Sequence, residues 1–170
     1  NISYSIYFKE IAIIDVVFVA MGFVLRLFVG SSVSEVGLSM WIVIMTFLLA
    51  LFIVLAKRRD DVLIFINTKQ KVRKSTDGYS LKFLDASMNI IASVLIVAYV
   101  MYTTSASVMV RVGSEYLYIT SLFVILGIMR YLIITLQDEG SASPIKIIFN
   151  DSFLQVVLLL WLMSFTWILY

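Results

Sequence analysis

The sequence predicts an all-α protein that crosses a membrane several times. Hydrophobic residues make up 62% of its 170 residues and charged residues only 14%, and the mean hydropathy is +1.03. A soluble domain of this size could not bury so much apolar surface, so its solvent must be largely lipid. The apolar residues form continuous runs and do not alternate with polar ones, which favours helices over a membrane β-barrel.

Five apolar runs meet or approach the roughly 20 residues that a helix needs to cross a bilayer. A single proline and seven glycines leave few helix breakers within them. We therefore predict one transmembrane domain over residues 1–170, with five membrane-spanning helices at 11–30, 38–56, 86–103, 116–136 and 152–170.

The basic residues predict how these helices are oriented. Eight of the thirteen lie between the second and third runs, and cytoplasmic loops of membrane proteins collect Lys and Arg. We therefore expect residues 57–82 to form a cytoplasmic loop, with residues 137–151 on the same side. Within this loop Asp77-Gly78 predicts a turn, and the third helix is expected to begin near Leu81.

Two absent residue types limit the chemistry of the chain. It has no cysteine and no histidine, which excludes disulfides, thiol chemistry and the commonest general base and metal ligand. A metal ion would have to be held by carboxylates, which suits Mg²⁺ better than zinc. The net charge of +2 says little about partners, and we expect no nucleic acid among them.

The most informative motif is Lys57-Arg58-Arg59-Asp60-Asp61, which ends the second apolar run. Lys57 and Asp61 are four residues apart and share a helix face. Asp60 and Asp61 offer carboxylates to Mg²⁺. Lys57 and Arg58 offer donors to phosphate oxygens. Such clusters are also common as stop signals that fix topology, so two interpretations stand: an anchor, or half of a Mg²⁺–diphosphate site.

Three further charged residues lie within apolar runs, where a charge costs a few kcal/mol near the bilayer centre. Asp15 and Arg26 are eleven residues apart, which returns a helix nearly to the same face. Asp15 suits a pairing near Lys9 as well as a functional site, and Arg26 suits snorkelling to the headgroups as well. For Arg130, which is followed by Tyr131, a functional role is favoured.

Seven segments occur, in order and at matching separations, in a known family. They are residues 4–9, Asp15-Val16, 22–30, 39–41, 51–61, Arg130-Tyr131-Leu132 and Asn150-Asp151. Together they resemble the C-terminal half of UbiA-type intramembrane prenyltransferases, most closely the decaprenyl-phosphate phosphoribosyltransferase branch, over essentially the whole chain. That branch carries Lys-Arg-x-x-Glu where the wider superfamily carries Asp-x-x-x-Asp. Lys57 and Asp61 occupy the first and last places here, and Asp61 keeps the carboxylate on a side chain one methylene shorter.

The resemblance implies a bundle of nine transmembrane helices around a central cavity, of which this chain would supply the last five. The first aspartate-rich motif of the family belongs to an earlier helix. The chain begins at Asn1, without a methionine or a signal-peptide region. We therefore expect the functional protein to include a missing N-terminal half that partners this chain.

The activity that the resemblance implies is transfer of 5-phosphoribosyl from phosphoribosyl diphosphate to a polyprenyl phosphate such as decaprenyl phosphate, with release of diphosphate. It would take place at the cytoplasmic face of the inner (plasma) membrane and serve cell-wall biosynthesis. The expected catalytic residues are Lys57, Arg58 and Asp61, and Asp61 with Asp60 is expected to hold Mg²⁺. The expected substrate-binding residues are Tyr4, Lys9, Arg130 and Tyr131.

Two alternative functions remain open from the sequence. The chain could be part of another UbiA-type enzyme that attaches a prenyl chain to an aromatic or other polar acceptor. It could also be a non-enzymatic membrane scaffold or a transporter fragment, with its charges serving topology alone.

Overall fold

The computed structural model of the protein describes residues 11–35, 37–69, 78–137 and 144–169. Within these residues every regular element is a helix, which confirms the predicted all-α class. A short 3₁₀ helix, Tyr116–Ile119, precedes the fifth α-helix. The α-helices are α1 (Ile14–Ser34), α2 (Met40–Thr68), α3 (Leu81–Thr103), α4 (Ala106–Val112), α5 (Thr120–Gln137), α6 (Pro144–Asn150) and α7 (Ser152–Leu169).

Four of the described stretches are long and apolar enough to cross a membrane. They are α1, α2, α3 and Tyr116–Gln137, which contains α5. The fifth predicted span coincides with α7, which is apolar but shorter, since 18 residues rise only about 27 Å. The helices therefore suggest a multi-pass membrane protein.

The contacts within the chain divide it into two compact units. Among the described residues, the first comprises those up to Ile91, and the second comprises those from Ala92 onward. The boundary falls inside α3, which contributes its first half to one unit and its second half to the other. The single domain over residues 1–170 stays a prediction.

In the first unit α1 packs against α2. One face of α1 buries Val16, Ala20 and Val24, which recur every four residues as a helix stripe requires. The opposite faces remain apolar and exposed, as at Leu25 and Val29. A helix that is apolar all round is typical of a membrane span, whose outer face meets lipid.

In the second unit α5 packs against α7, and buried hydroxyls join the end of α3 to its neighbours. Tyr99 Oη lies 2.9 Å from Thr120 Oγ1 and accepts a hydrogen bond of 2.9 Å from Trp161 Nε1. Thr103 Oγ1 lies 3.2 Å from Ser121 Oγ. Such bonds contribute to helix association where no water competes for the groups.

The boundaries of the predicted cytoplasmic loop 57–82 need correction at both ends. α2 does not end at Ala56 but continues to Thr68, and α3 begins at Leu81, where the turn signal placed it, rather than at residue 86. α2 can continue because its charged side chains turn inward to partners and because Val62 and Leu63 extend its buried face. The predicted turn at Asp77-Gly78 lies half outside the described residues.

Candidate functional site

The charged cluster of α2 lies inside the helix, about two turns before its end, and most of it is buried. Arg58, Arg59 and Asp61 are buried, Asp60 is intermediate and Lys57 is exposed. Buried charges require partners, because desolvation otherwise costs several kcal/mol per ion. The arrangement of those partners defines the candidate site.

Arg58 is held between two carboxylates. Its Nε donates to Asp15 Oδ2 at 2.7 Å, and its Nη1 donates to Asp61 Oδ2 at 2.9 Å. Asp61 is three residues further along α2, whereas Asp15 lies in the first turn of α1. The pair with Asp61 is local to α2. The pair with Asp15 forms because α1 packs against α2.

Asp15 is bound on its other oxygen by Tyr79, which lies just before α3. Tyr79 Oη donates to Asp15 Oδ1 at 2.5 Å and accepts from the backbone N–H of Ile13 at 2.6 Å. Burial raises the pKa of Tyr79, and the hydrogen bond to Asp15 raises it further. The phenol therefore stays protonated and remains a donor.

The approach of Tyr79 to α1 depends on Gly78. A Cβ atom on Gly78 would lie 2.7 Å from the Cβ of Ala12, which is closer than two carbons can approach without a shift of the backbone. Ile13, next in the chain, has φ of 73°, a conformation that β-branched residues seldom adopt. Its hydrogen bond to Tyr79 is one contact that holds this strained turn.

Arg59 makes a separate pair. Its Nε donates to Asp85 Oδ1 at 2.6 Å and so joins α2 to the first turns of α3. Asp85 is more exposed than the carboxylates around Arg58, with 35% of its side chain accessible. Arg59 thus connects two helices of the first unit.

Within the charged cluster, Asp60 carries an unsatisfied carboxylate oxygen. Its Oδ1 is buried and has no hydrogen-bond partner among the described residues, and an unsatisfied buried acceptor costs about 1–3 kcal/mol. No group of three or more Asp, Glu, His or Cys side chains able to hold a metal occurs in the described part of the chain. Asp60 and Asp61 thus fit Mg²⁺ only as a partial ligand set, which Mg²⁺ commonly completes with water and substrate phosphates.

A cleft of about 480 Å³ lies beside this network, between the end of α2 and the start of α3. Val62, Phe65 and Ile66 form an apolar wall, and Tyr79 and Lys82 also line it. Lys82 is exposed. The cleft therefore combines apolar surface with a cation and shares Tyr79 with the buried network.

Arg130 lies in the second unit and binds Asp151. Its Nη2 lies 2.7 Å from Asp151 Oδ2, and its Nε donates to the same carboxylate at 3.2–3.3 Å. Asp151 also accepts from the backbone N–H of Leu154 at 2.9 Å, as an N-cap of α7. The guanidinium of Arg130 holds the pKa of Asp151 below its usual range. Tyr131, the next predicted site residue, is buried.

The motif placed Lys57 on the same helix face as Asp61, but in the structure Arg58 binds Asp61 and Lys57 is exposed. Tyr4 and Lys9 lie outside the described residues. Arg26 stacks over the ring of Phe23, with its Cζ 5.2 Å from the ring centroid.

Several residues of the site region were not predicted as site residues, among them Asp15, Tyr79 and Asp151. Asp15 could have been identified from the sequence, because a carboxylate inside an apolar run is usually paired with another group. Asp151 follows Asn150 before an apolar helix, which is the position of an N-cap. Nothing in the sequence distinguishes Tyr79 from the other tyrosines.

Comparison with known proteins supports the expected resemblance, although no family model matches the chain. A decaprenyl-phosphate phosphoribosyltransferase of Corynebacterium glutamicum is 26% identical over 161 residues, which cover 95% of this chain and 48% of the relative. One of Mycolicibacterium smegmatis is 24% identical over 168 residues, which cover 95% of this chain and 52% of the relative. The chain thus spans about half the length of the curated relatives it matches.

The similarity includes the region of α2 that carries the charged cluster, since it covers almost all of the chain. It agrees with the resemblance that the sequence segments predicted. Over nearly its whole length, this chain is similar to two decaprenyl-phosphate phosphoribosyltransferases.

Proposed function

We propose that this chain is part of a membrane enzyme that transfers 5-phosphoribosyl from phosphoribosyl diphosphate to a polyprenyl phosphate and releases diphosphate. The observation that carries the proposal is the buried, charge-paired network around Asp61 in a chain homologous to phosphoribosyltransferases. We place the reaction at the cytoplasmic face of the plasma membrane, because the basic residues cluster around α2 and the start of α3. The UbiA-type bundle of nine helices is part of the same proposal.

The chemistry suits the residues of the cluster. The bond between the anomeric carbon of the ribose and the diphosphate oxygen breaks, and an oxygen of the polyprenyl phosphate bonds to that carbon. Negative charge grows on the departing diphosphate, so fixed cations near it lower the barrier. The acceptor phosphate is already ionised and needs no general base, which agrees with a chain that lacks histidine.

Four of the five charged residues of α2 receive a role in this proposal. Lys57 is exposed and would bind the diphosphate as a mobile ammonium. Asp60 and Asp61 would hold Mg²⁺, which when bound supplies Lewis-acid stabilisation of the leaving group. Arg58 was expected to contact the diphosphate, but its guanidinium is engaged by Asp15 and Asp61. We therefore assign it the task of holding Asp61.

The remaining substrate contacts come from several parts of the chain. Arg130 would bind a phosphate of the ribose or of the polyprenyl acceptor, and Tyr131, Tyr4 and Lys9 stay in the proposed substrate-binding set. Apolar helix faces would hold the polyprenyl tail, where each buried CH₂ contributes about 0.8 kcal/mol.

The test uses the full-length gene product in membranes, with labelled phosphoribosyl diphosphate and decaprenyl phosphate. Asp61→Ala should abolish Mg²⁺-dependent transfer of label to lipid while the protein remains folded. Glu35→Ala, which removes an exposed carboxylate at the end of α1, should leave the rate unchanged. Transfer that survives in Asp61→Ala would exclude the metal role of this residue.

A second arm of the assay separates the alternative enzyme. The same membranes receive a prenyl diphosphate and an aromatic acceptor in place of the phosphoribosyl substrates. Prenylation of the aromatic acceptor, without label transfer to lipid, would show that the chain belongs to a different transferase.

A further inference from the structure

We infer that Asp15 and Tyr79 are positioning residues for Asp61 and that they act through Arg58. The inference rests on the proposed function, because the proposed function makes Asp61 a ligand of Mg²⁺ whose orientation matters. It concerns four residues from three separate parts of the chain, which the fold joins into one relay of hydrogen bonds.

The first step of the relay is the orientation of Arg58. A guanidinium is planar and presents its donors in a rigid fork. Nε of Arg58 is bound to Asp15, and Nη1 is bound to Asp61. Once the bond to Asp15 sets the plane of the guanidinium, the direction in which Nη1 meets Asp61 Oδ2 is set as well.

The second step is the orientation of Asp15. Each of its two oxygens accepts from a different side chain, Oδ2 from Arg58 and Oδ1 from Tyr79. The carboxylate therefore cannot rotate without losing a charge-assisted hydrogen bond. Tyr79 is in turn held by the N–H of Ile13 and by the close approach of Gly78 to Ala12.

The third step is the burial of the relay. Asp15 is 1% exposed, Arg58 3%, Asp61 4% and Tyr79 6%. Water cannot readily replace a lost partner at such positions. The loss of one hydrogen bond should therefore change the orientation of the next residue in the relay. Partners behind a metal-ligating carboxylate commonly change metal affinity or activity by about 10–100-fold when they are removed.

A role in folding alone would also require these bonds, so the test must separate orientation of Asp61 from general stability. Asp15→Asn and Tyr79→Phe keep the shape of each side chain and remove one element of the relay. Tyr99→Phe is the matched control, because Tyr99 is likewise a buried tyrosine with two hydrogen-bonded neighbours, in the second unit.

The first measurement needs no substrate. Carbodiimide labelling of carboxylates in the purified full-length protein is followed by mass spectrometry of the peptides that contain Asp61 and Asp85. Loss of a hydrogen bond to a charged group should raise the labelling rate of Asp61 roughly tenfold in Asp15→Asn and Tyr79→Phe. Asp85, which Arg59 binds independently, should label at the wild-type rate, and Tyr99→Phe should change neither.

The second measurement is the metal dependence of the same proteins. The affinity for Mn²⁺, a paramagnetic substitute for Mg²⁺, is read by electron paramagnetic resonance and should fall roughly 10–100-fold in both relay variants. Tyr99→Phe should retain the wild-type affinity.

Three results would decide against the inference: unchanged labelling of Asp61, equal acceleration of Asp61 and Asp85, or equal effects in Tyr99→Phe. Each would show that the two residues only stabilise the fold. A wild-type protein without phosphoribosyl transfer would overturn the proposed function instead, and the labelling of Asp61 would still decide the positioning role.

Discussion

Two arginines of this chain meet a carboxylate at the same distance but in different surroundings. Arg58 lies 2.7 Å from Asp15, with 4% and 2% of the two side chains exposed. Arg130 lies 2.7 Å from Asp151, with 40% and 15% exposed. Water can solvate Arg130 when it leaves its partner, whereas the separation of Arg58 from Asp15 leaves charges in a medium of low dielectric.

Under the proposed function, the difference favours Arg130 over Arg58 as the arginine that exchanges its carboxylate for a substrate phosphate. Both were expected from the sequence to contact phosphate groups. Arg130 can turn to an incoming phosphate because solvent supports it during the exchange. Arg58 can turn to a phosphate only if it leaves both Asp15 and Asp61, and each of these carboxylates then loses a buried partner. Burial, and not distance, therefore supports a binding role for Arg130 and a structural role for Arg58.

The largest expected effect comes from the removal of Arg58. Arg58→Ala leaves Asp15 and Asp61 without their shared partner and should lower the free energy of unfolding by about 3–5 kcal/mol. Denaturant titration of the full-length protein in micelles measures the loss. Arg130→Ala should cost clearly less, and equal losses in the two variants would break the comparison.

The next effect tests the packing that delivers Tyr79 to Asp15. Gly78→Ala places a methyl group against the Cβ of Ala12 and should destabilise the protein by about 1–3 kcal/mol. Gly22→Ala is the control, since no atom lies within 4 Å of a Cβ at that position and alanine favours a helix. Thermal unfolding of both variants should show a loss for the first alone. A Gly78→Ala protein as stable as wild type would mean that the close approach is not needed.

The smallest effect concerns the pH dependence of the partly exposed pair of Arg130 and Asp151. Arg130 lowers the pKa of Asp151 in the folded protein. A carboxyl group with a lowered pKa stabilises the fold above the pH at which an unfolded Asp titrates, about 3.9, and this contribution disappears as the pH falls. The melting temperatures of wild type and Asp151→Asn should therefore differ at pH 6 and converge towards pH 3. A difference that persists at pH 3 would contradict the assigned sign.

The sequence predicted much of this outcome because its strongest signals are local. Long apolar runs identified the helices, and the turn signal before Leu81 located the start of α3. The predicted end of α2 at residue 56 was wrong, because five consecutive charges are typical of the start of a loop. α2 continues because partners on other helices absorb those charges.

The candidate site was predictable only in part for the same reason. The motif that begins with Lys57 and ends with Asp61 is contiguous, and its resemblance to a transferase family agrees with the curated relatives. The partners of the motif are distant in sequence: Asp15 lies 43 residues before Arg58, and Tyr79 lies 64 residues after Asp15. No periodicity or spacing connects them.

The sequence by itself determined that this is an all-helical chain of apolar spans, a conclusion that needs only composition and residue order. It also predicted Asp60 and Asp61 as ligands of Mg²⁺, which stays a prediction. Only the tertiary structure decided that Arg58 is bound between Asp15 and Asp61, with Tyr79 behind them. The physical reason is that a buried charge must find its partner wherever packing supplies one, and helix packing follows the apolar faces rather than the order of the charged residues.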